Sequence, residues 1–174
     1  MKRVCVVTSN RADFGLLRWL MEDISNSPEF ELQVLVTGGH FSSQQGFTWQ
    51  YIEEAGFQIS ARIDELEAGD TGKDAGVEMG RILSTSATEL ARLNPDLLVV
   101  LGDRYEILAV VSAAVLQNIP VAHIHGGEVT EGAIDDAIRH AITKLSNLHF
   151  TAAEEYRERV ISMGEHSDNV FNVG

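Results

Sequence analysis

Residues 122–140, AHIHGGEVTEGAIDDAIRH, crowd three histidines, two glutamates, two aspartates and an arginine around a Gly-Gly turn. Carboxylates and imidazoles packed together push one another's pKa values apart, so a single site can hold both an acid and a base near neutral pH. His123 and His125 stand two apart in what reads as a strand, and are therefore expected on one face. Gly126 and Gly127 turn the chain so that Glu128 returns towards the same strand end. In the helical pattern that follows, Asp135 and Arg139, and Asp136 and His140, are i,i+4 pairs. The second pair reads as an exposed helix pair. The first lies near a helix N-terminus beside a strand end, and reads as functional.

Three other strand ends carry unusual residues: TSNRAD, TGGHF and LGDRYE. Arg11 at a helix N-terminus has a guanidinium fork and unpaired backbone N–H groups to offer a phosphate, with solvation of Arg11 beside an Asn10 or Asp13 cap as the competing reading. His40 follows two glycines, where backbone can approach a ligand closely, and is expected on an exposed loop. Asp103 and Arg104 sit at a strand-to-helix turn, where Asp103 either caps the helix or enters the chemistry. No G-x-G-x-x-G and no G-K-[ST] is present, which removes the usual dinucleotide and P-loop signatures.

Two classes of chemistry fit these residues. His123-x-His125 with Asp103 and Glu128 has the donor types of a zinc or manganese hydrolase. The alternative is acid/base chemistry on a phosphorylated or nucleotide-linked substrate, with Arg11 and Arg139 on phosphate. A noncatalytic receiver-like module ranks last, because it needs an acidic pair at the first strand end and TSN supplies none.

The elements that must position these groups alternate. RVCVVTS (3–9), ELQVLVTG (31–38), DLLVVLG (96–102) and IPVAHIHG (119–126) are apolar runs without polar alternation, the pattern of strands buried on both faces of a parallel sheet. Amphipathic stretches separate or follow them at about 14–26, 45–56, 74–93, 104–117, 133–146 and 153–163; Ile107, Val111 and Val115 make one stripe. This order predicts an α/β doubly wound domain, whose ligands bind at the carboxyl ends of the strands. Residues 61–76 read as a loop, and DNVFNVG as a last strand.

Composition narrows the partners. The 174 residues carry 13 basic and 26 acidic side chains, a formal charge of -13, which disfavours nonspecific attraction to nucleic acid or to an anionic membrane. Cys5 is the single cysteine and lies in an apolar run, so no disulfide framework exists and a reducing compartment fits. The basic start lacks the apolar length of a signal peptide, and no run approaches the about 18 apolar residues of a membrane span. A soluble, cytoplasmic protein of one domain is the expectation.

VVTSNRADFGLL, VLVTGGHF, LLVVLGDRYEIL, HIHGGEVTEGAIDDAIRHAITKLSNLHF and EEYRERVISMGE resemble the N-terminal half of the hydrolysing UDP-N-acetylglucosamine 2-epimerases of sialic acid biosynthesis, from residue 3 to residue 174. The resemblance implies a Rossmann-like domain that forms one half of a glycosyltransferase-B type fold, spans residues 1–174 and faces a second, UDP-gripping half that lies beyond this chain. It implies removal of the C2 proton with anti elimination of UDP, then syn addition of water, giving N-acetylmannosamine without metal or redox cofactor. Asp103 is then an acid/base group, with Glu128 and Asp135 nearby, and Arg11 and His40 line the nucleotide-sugar cleft. Position 125 departs from the family: several members carry an acidic residue there for the proton transfers, and this chain has His125. That departure admits the sister enzymes acting on UDP-2,4-diacetamido-2,4,6-trideoxy sugars. The expected site is therefore catalytic Asp103, His125, Glu128 and Asp135, with Arg11, His40, Arg104, His123 and Arg139 binding a UDP-sugar. The full-length protein is expected to be a dimer or tetramer.

Overall fold

The computed structural model describes residues 1–64, 71–130 and 134–174. Within them the chain runs β1 (Lys2–Thr8), α1 (Arg11–Asn26), β2 (Phe30–Thr37), α2 (Gln50–Glu54), β3 (Ala61–Ile63), α3 (Gly72–Leu93), β4 (Leu97–Leu101), α4 (Tyr105–Leu116), β5 (Val121–Ile124), α5 (Ile134–Leu145), β6 (Leu148–Thr151), α6 (Glu154–Ser162) and β7 (Val170–Asn172). The strands form one sheet in the order β3-β2-β1-β4-β5-β6-β7, every neighbouring pair parallel.

Unbroken apolar strands follow from burial on both sides. Cys5 and Val7 of β1 face a core with Ile82 and Leu90 of α3, Ile107 and Val111 of α4, and Ile142 of α5. Val4 and Val6, one residue out of phase, face Leu17 and Met21 of α1 and Ile52 of α2. Each such fully buried aliphatic side chain contributes about 1.5–3 kcal/mol. With both faces closed, the rim at the strands' carboxyl ends is where polar side chains collect. The order reverses between β1 and β4, which opens a crevice at that rim.

Two expectations need correction. The segment 61–76 is not one loop: Ala61 and Ile63 are buried and pair β3 with β2, while Thr71 and Asp74 form a capping box that starts α3 at Gly72. Residues 65–70 of that segment lie outside the described residues, as does residue 133 at the expected start of the fifth helix. The strand β6 was not expected, because Leu148, His149, Phe150 and Thr151 alternate too briefly to stand out. The expected last strand is β7, seated on β6. Among the described residues no helix is long and apolar enough to cross a membrane.

Candidate active site

Asp103 follows β4 directly, after Gly102 turns the chain at φ +85°. Arg139 of α5 ion-pairs with Asp103 through Nη2, and with Glu128 through Nη1 at 2.8 Å. Glu128 in turn lies 3.2 Å from Nδ1 of His125. The result is a chain Asp103–Arg139–Glu128–His125 that grades outward: the side chains are 8% exposed at Arg139, 23% at Asp103, 26% at Glu128 and 36% at His125. Burial works against the charge on Arg139, but its hydrogen bond to Asp103 and the charges of Asp103 and Glu128 outweigh it and raise its pKa. The guanidinium is a fixed cation between two carboxylates, and the imidazole is the group best placed to reach a ligand.

This arrangement corrects the expected pairing on α5. Arg139 reaches Asp103 and Glu128, which follow β4 and β5, rather than Asp135 on its own helix. Asp135 stays half-buried at the start of α5. Asp136 and His140 do stand as a pair, at 3.6 Å.

The two strand histidines also part company. The strand ends at Ile124, and His125 takes a left-handed conformation at φ +65°, so the period-two argument stops one residue short. His123 is fully buried: Nε2 donates to the Gly102 carbonyl at 2.7 Å, and the Thr143 hydroxyl pairs with Nδ1 at 3.1 Å. Both nitrogens are engaged inside the fold, so His123 neither lines the crevice nor converges with His125 on one ion. Among the described residues no three His, Cys, Asp or Glu side chains are grouped to hold a metal.

On the β1–β2 side, Asn10 caps α1 by accepting from the N–H groups of Ala12 and Asp13, leaving Arg11 exposed with its guanidinium 5.1 Å from the Tyr51 ring centre. His40, expected on the surface, is fully buried, with Nε2 2.8 Å from the Thr8 hydroxyl and Nδ1 2.9 Å from the Thr48 hydroxyl. Its neighbour Gly38, at φ +60°, is needed for chain packing, since a Cβ there would sit 2.9 Å from the Ser9 carbonyl oxygen. Arg104 is 43% exposed and anchored at 2.8 Å to Glu106, whose side chain is 1% exposed. Glu106 was missed from sequence; the available signal was a lone acid entering an otherwise apolar helix beside an arginine.

Burial lowers the pKa of His40 to about 4 and of His123 to about 4, and depresses that of His149 as well despite Glu165. The folded state therefore refuses protons that the unfolded chain accepts below about pH 6.5. Stability from this source is full above that pH and is lost as pH falls towards 4. The slope is up to about 1.4 kcal/mol per pH unit for each histidine. Urea midpoints taken from pH 7.5 to 5, above the carboxylate range, are expected to fall steadily; a flat profile would show the rings titrating as they do in water.

A parallel sheet whose order reverses between β1 and β4, with charged side chains gathered at the carboxyl ends of its strands, defines a Rossmann-like domain. The family model described as UDP-N-acetylglucosamine 2-epimerase matches residues 22–174. A Campylobacter jejuni protein described as GDP/UDP-N,N'-diacetylbacillosamine 2-epimerase (hydrolyzing) is 42% identical over 173 residues, covering 99% of this chain and 45% of that one. The polysialic acid biosynthesis protein P7 of Escherichia coli is 40% identical, covering 100% and 44%. The crystal structure of the Neisseria meningitidis UDP-GlcNAc 2-epimerase bound to UDP-GlcNAc superposes with a TM-score of 0.84 at 22% identity, over 98% of this chain and 45% of that one. This chain belongs to the UDP-N-acetylglucosamine 2-epimerase family. It spans just under half the length of the curated relatives it matches.

Proposed function

We propose that the chain is the N-terminal half of a hydrolysing 2-epimerase that converts UDP-N-acetylglucosamine and water into N-acetylmannosamine and UDP. The observation that carries the reading is the Asp103–Arg139–Glu128–His125 relay on the crevice rim. In the first step a base takes the C2 proton as the C1–O bond to UDP breaks, leaving a C1=C2 glycal. In the second, water adds syn: its hydroxyl goes to C1 and a proton to C2 on one face, the face opposite to the one that lost the first proton. Glu128 occupies Nδ1 of His125, so Nε2 is the nitrogen offered to the sugar, where an imidazole can serve as general base and then as general acid. Asp103 serves the other proton transfer, with Asp135 at the mouth of the site. Arg104, held by Glu106, and Arg11 meet the diphosphate, and held phosphates keep C2 in register with the base.

The 42% identity to the diacetylbacillosamine enzyme favours a second reading, in which the same steps run on a UDP-2,4-diacetamido-2,4,6-trideoxy sugar. Proton NMR of the full-length enzyme in D2O with EDTA separates the two. Deuterium at C2 of N-acetylmannosamine is expected. Turnover of the trideoxy sugar alone would select the second reading, and turnover of neither would sink both. In the same assay the 174-residue chain alone is expected to release little or no UDP, because one wall of a cleft places the acid/base groups without clamping the nucleotide. Robust release by that chain would overturn the division of labour. A cytoplasmic dimer or tetramer is part of the same proposal.

A further inference from the structure

His123 occupies a position that no direct contact with substrate explains. It lies fully buried in β5, in register between Val100 of β4 and His149 of β6. The strand β4 ends at Leu101, so the Gly102 carbonyl has left the ladder, and His123 Nε2 supplies its donor at 2.7 Å. The Gly102 N–H is held by β5 as well, donating to the Ile124 carbonyl at 3.1 Å. Both backbone groups of the residue before Asp103 are thus tied to β5.

The other side of the ring meets the rest of the site. Nδ1 lies 3.1 Å from the Thr143 hydroxyl, one turn along α5 from Arg139. A Cβ on Gly126 would come within 3.2 Å of Nδ1, so the ring also abuts the turn that delivers Glu128. The tautomer follows from the partners. A carbonyl oxygen only accepts, so Nε2 carries the hydrogen and Nδ1 accepts from Thr143. Burial keeps the ring neutral at physiological pH, which preserves that tautomer.

We infer that His123 is a positioning residue for the reaction, a neutral post that registers the segments bearing Asp103, Arg139 and Glu128 against one another without touching the sugar. The inference rests on the epimerase reading for its kinetic consequence, and on the hydrogen bonds alone for its structural one. The post acts through a donor at one place in space, so what replaces it matters. In His123→Gln the amide nitrogen can stand where Nε2 stood. In His123→Asn the amide ends near Nδ1, and Gly102 loses its donor.

The test uses the full-length enzyme with whichever UDP-sugar it turns over. His123→Asn is expected to lower kcat by about 100-fold with KM changed less than about threefold, since a displaced acid/base group costs rate before it costs binding. His123→Gln is expected to recover most of that loss. Thr143→Val, which frees the ring to rotate, serves if the asparagine variant does not fold, and is expected to lower kcat by about tenfold at unchanged KM. Hydrogen exchange of the amides from Gly102 to Tyr105 gives a readout that needs no turnover: faster exchange in His123→Asn, or in Thr143→Val where that variant replaces it, with wild-type rates in His123→Gln. An asparagine variant with wild-type kcat, an equal loss in both histidine variants, or a loss in KM alone would overturn the proposal. Should the wild-type enzyme turn over neither sugar, the epimerase reading fails while exchange still decides the post, equal rates in all proteins overturning it.

Discussion

Arg139→Met is expected to lower kcat/KM by at least about 100-fold and to cost about 3 kcal/mol of stability. The side chain fills the same volume, so the effect isolates the charge. In its absence Asp103 and Glu128, each only about a quarter exposed, are left beside one another with their shared cation removed. Breaking a buried pair strands the partner charge, and here two are stranded. Arg139→Lys is expected to restore little, about tenfold at most, because an ammonium is a point charge and cannot present two parallel donors to carboxylates on different segments. Urea unfolding and steady-state kinetics of both variants decide the matter. A methionine variant with near wild-type kcat/KM would show that Asp103 and Glu128 act independently of Arg139, and would remove the relay from the proposed mechanism.

The fold was legible where one interaction controls local structure. Strands such as Arg3–Ser9 read as apolar throughout because both faces are covered, with Cys5 and Val7 on one side and Val4 and Val6 on the other. The short edge elements were not legible. Only Ala61 and Ile63 of β3 turn inward, and His149 in β6 masks what is a buried strand by being polar and fully enclosed. Three or four residues carry too little periodicity to outweigh flanking charge.

The proximity of these charged groups was legible in the sequence, and their directions were not. Asp103, His125, Glu128 and Arg139 do meet, yet Arg139 passes over the i,i+4 partner that spacing offers and reaches 36 residues back to Asp103. Helical spacing reports which side chains are near one another on a free helix, and a helix docked on a sheet follows its tertiary partners instead. The left-handed turn at His125 broke the alternation that joined it to His123. His40 reads as ligand-facing because it follows two glycines, and His123 because it stands two from His125 in a strand. Their environments instead supply threonine hydroxyls and a carbonyl that satisfy a neutral ring, which makes each a tie between segments.

Gly127→Ala is expected to be the most damaging small change at the site, lowering stability by about 3 kcal/mol or more and activity by about 100-fold. Two separate demands meet at this residue. Its φ of +81° is a conformation that costs an L side chain roughly 1–2 kcal/mol. A Cβ would also run into the Tyr156 carbonyl oxygen and stand 2.9 Å from Val160 Cγ2, both on α6. That helix cannot retreat without disturbing Val160, which is fully buried, or the hydrogen bond from Arg159 to the Gly127 carbonyl. The turn must therefore move, and Glu128 moves with it. Gly56→Ala separates the two demands, since Gly56 has φ +90° with open space around it. It is expected to cost about 1–2 kcal/mol and leave kcat unchanged. If the two variants lose the same stability and Gly127→Ala retains full kcat, the close approach to α6 does not hold the GGE turn, and Glu128 is positioned by Arg139 alone.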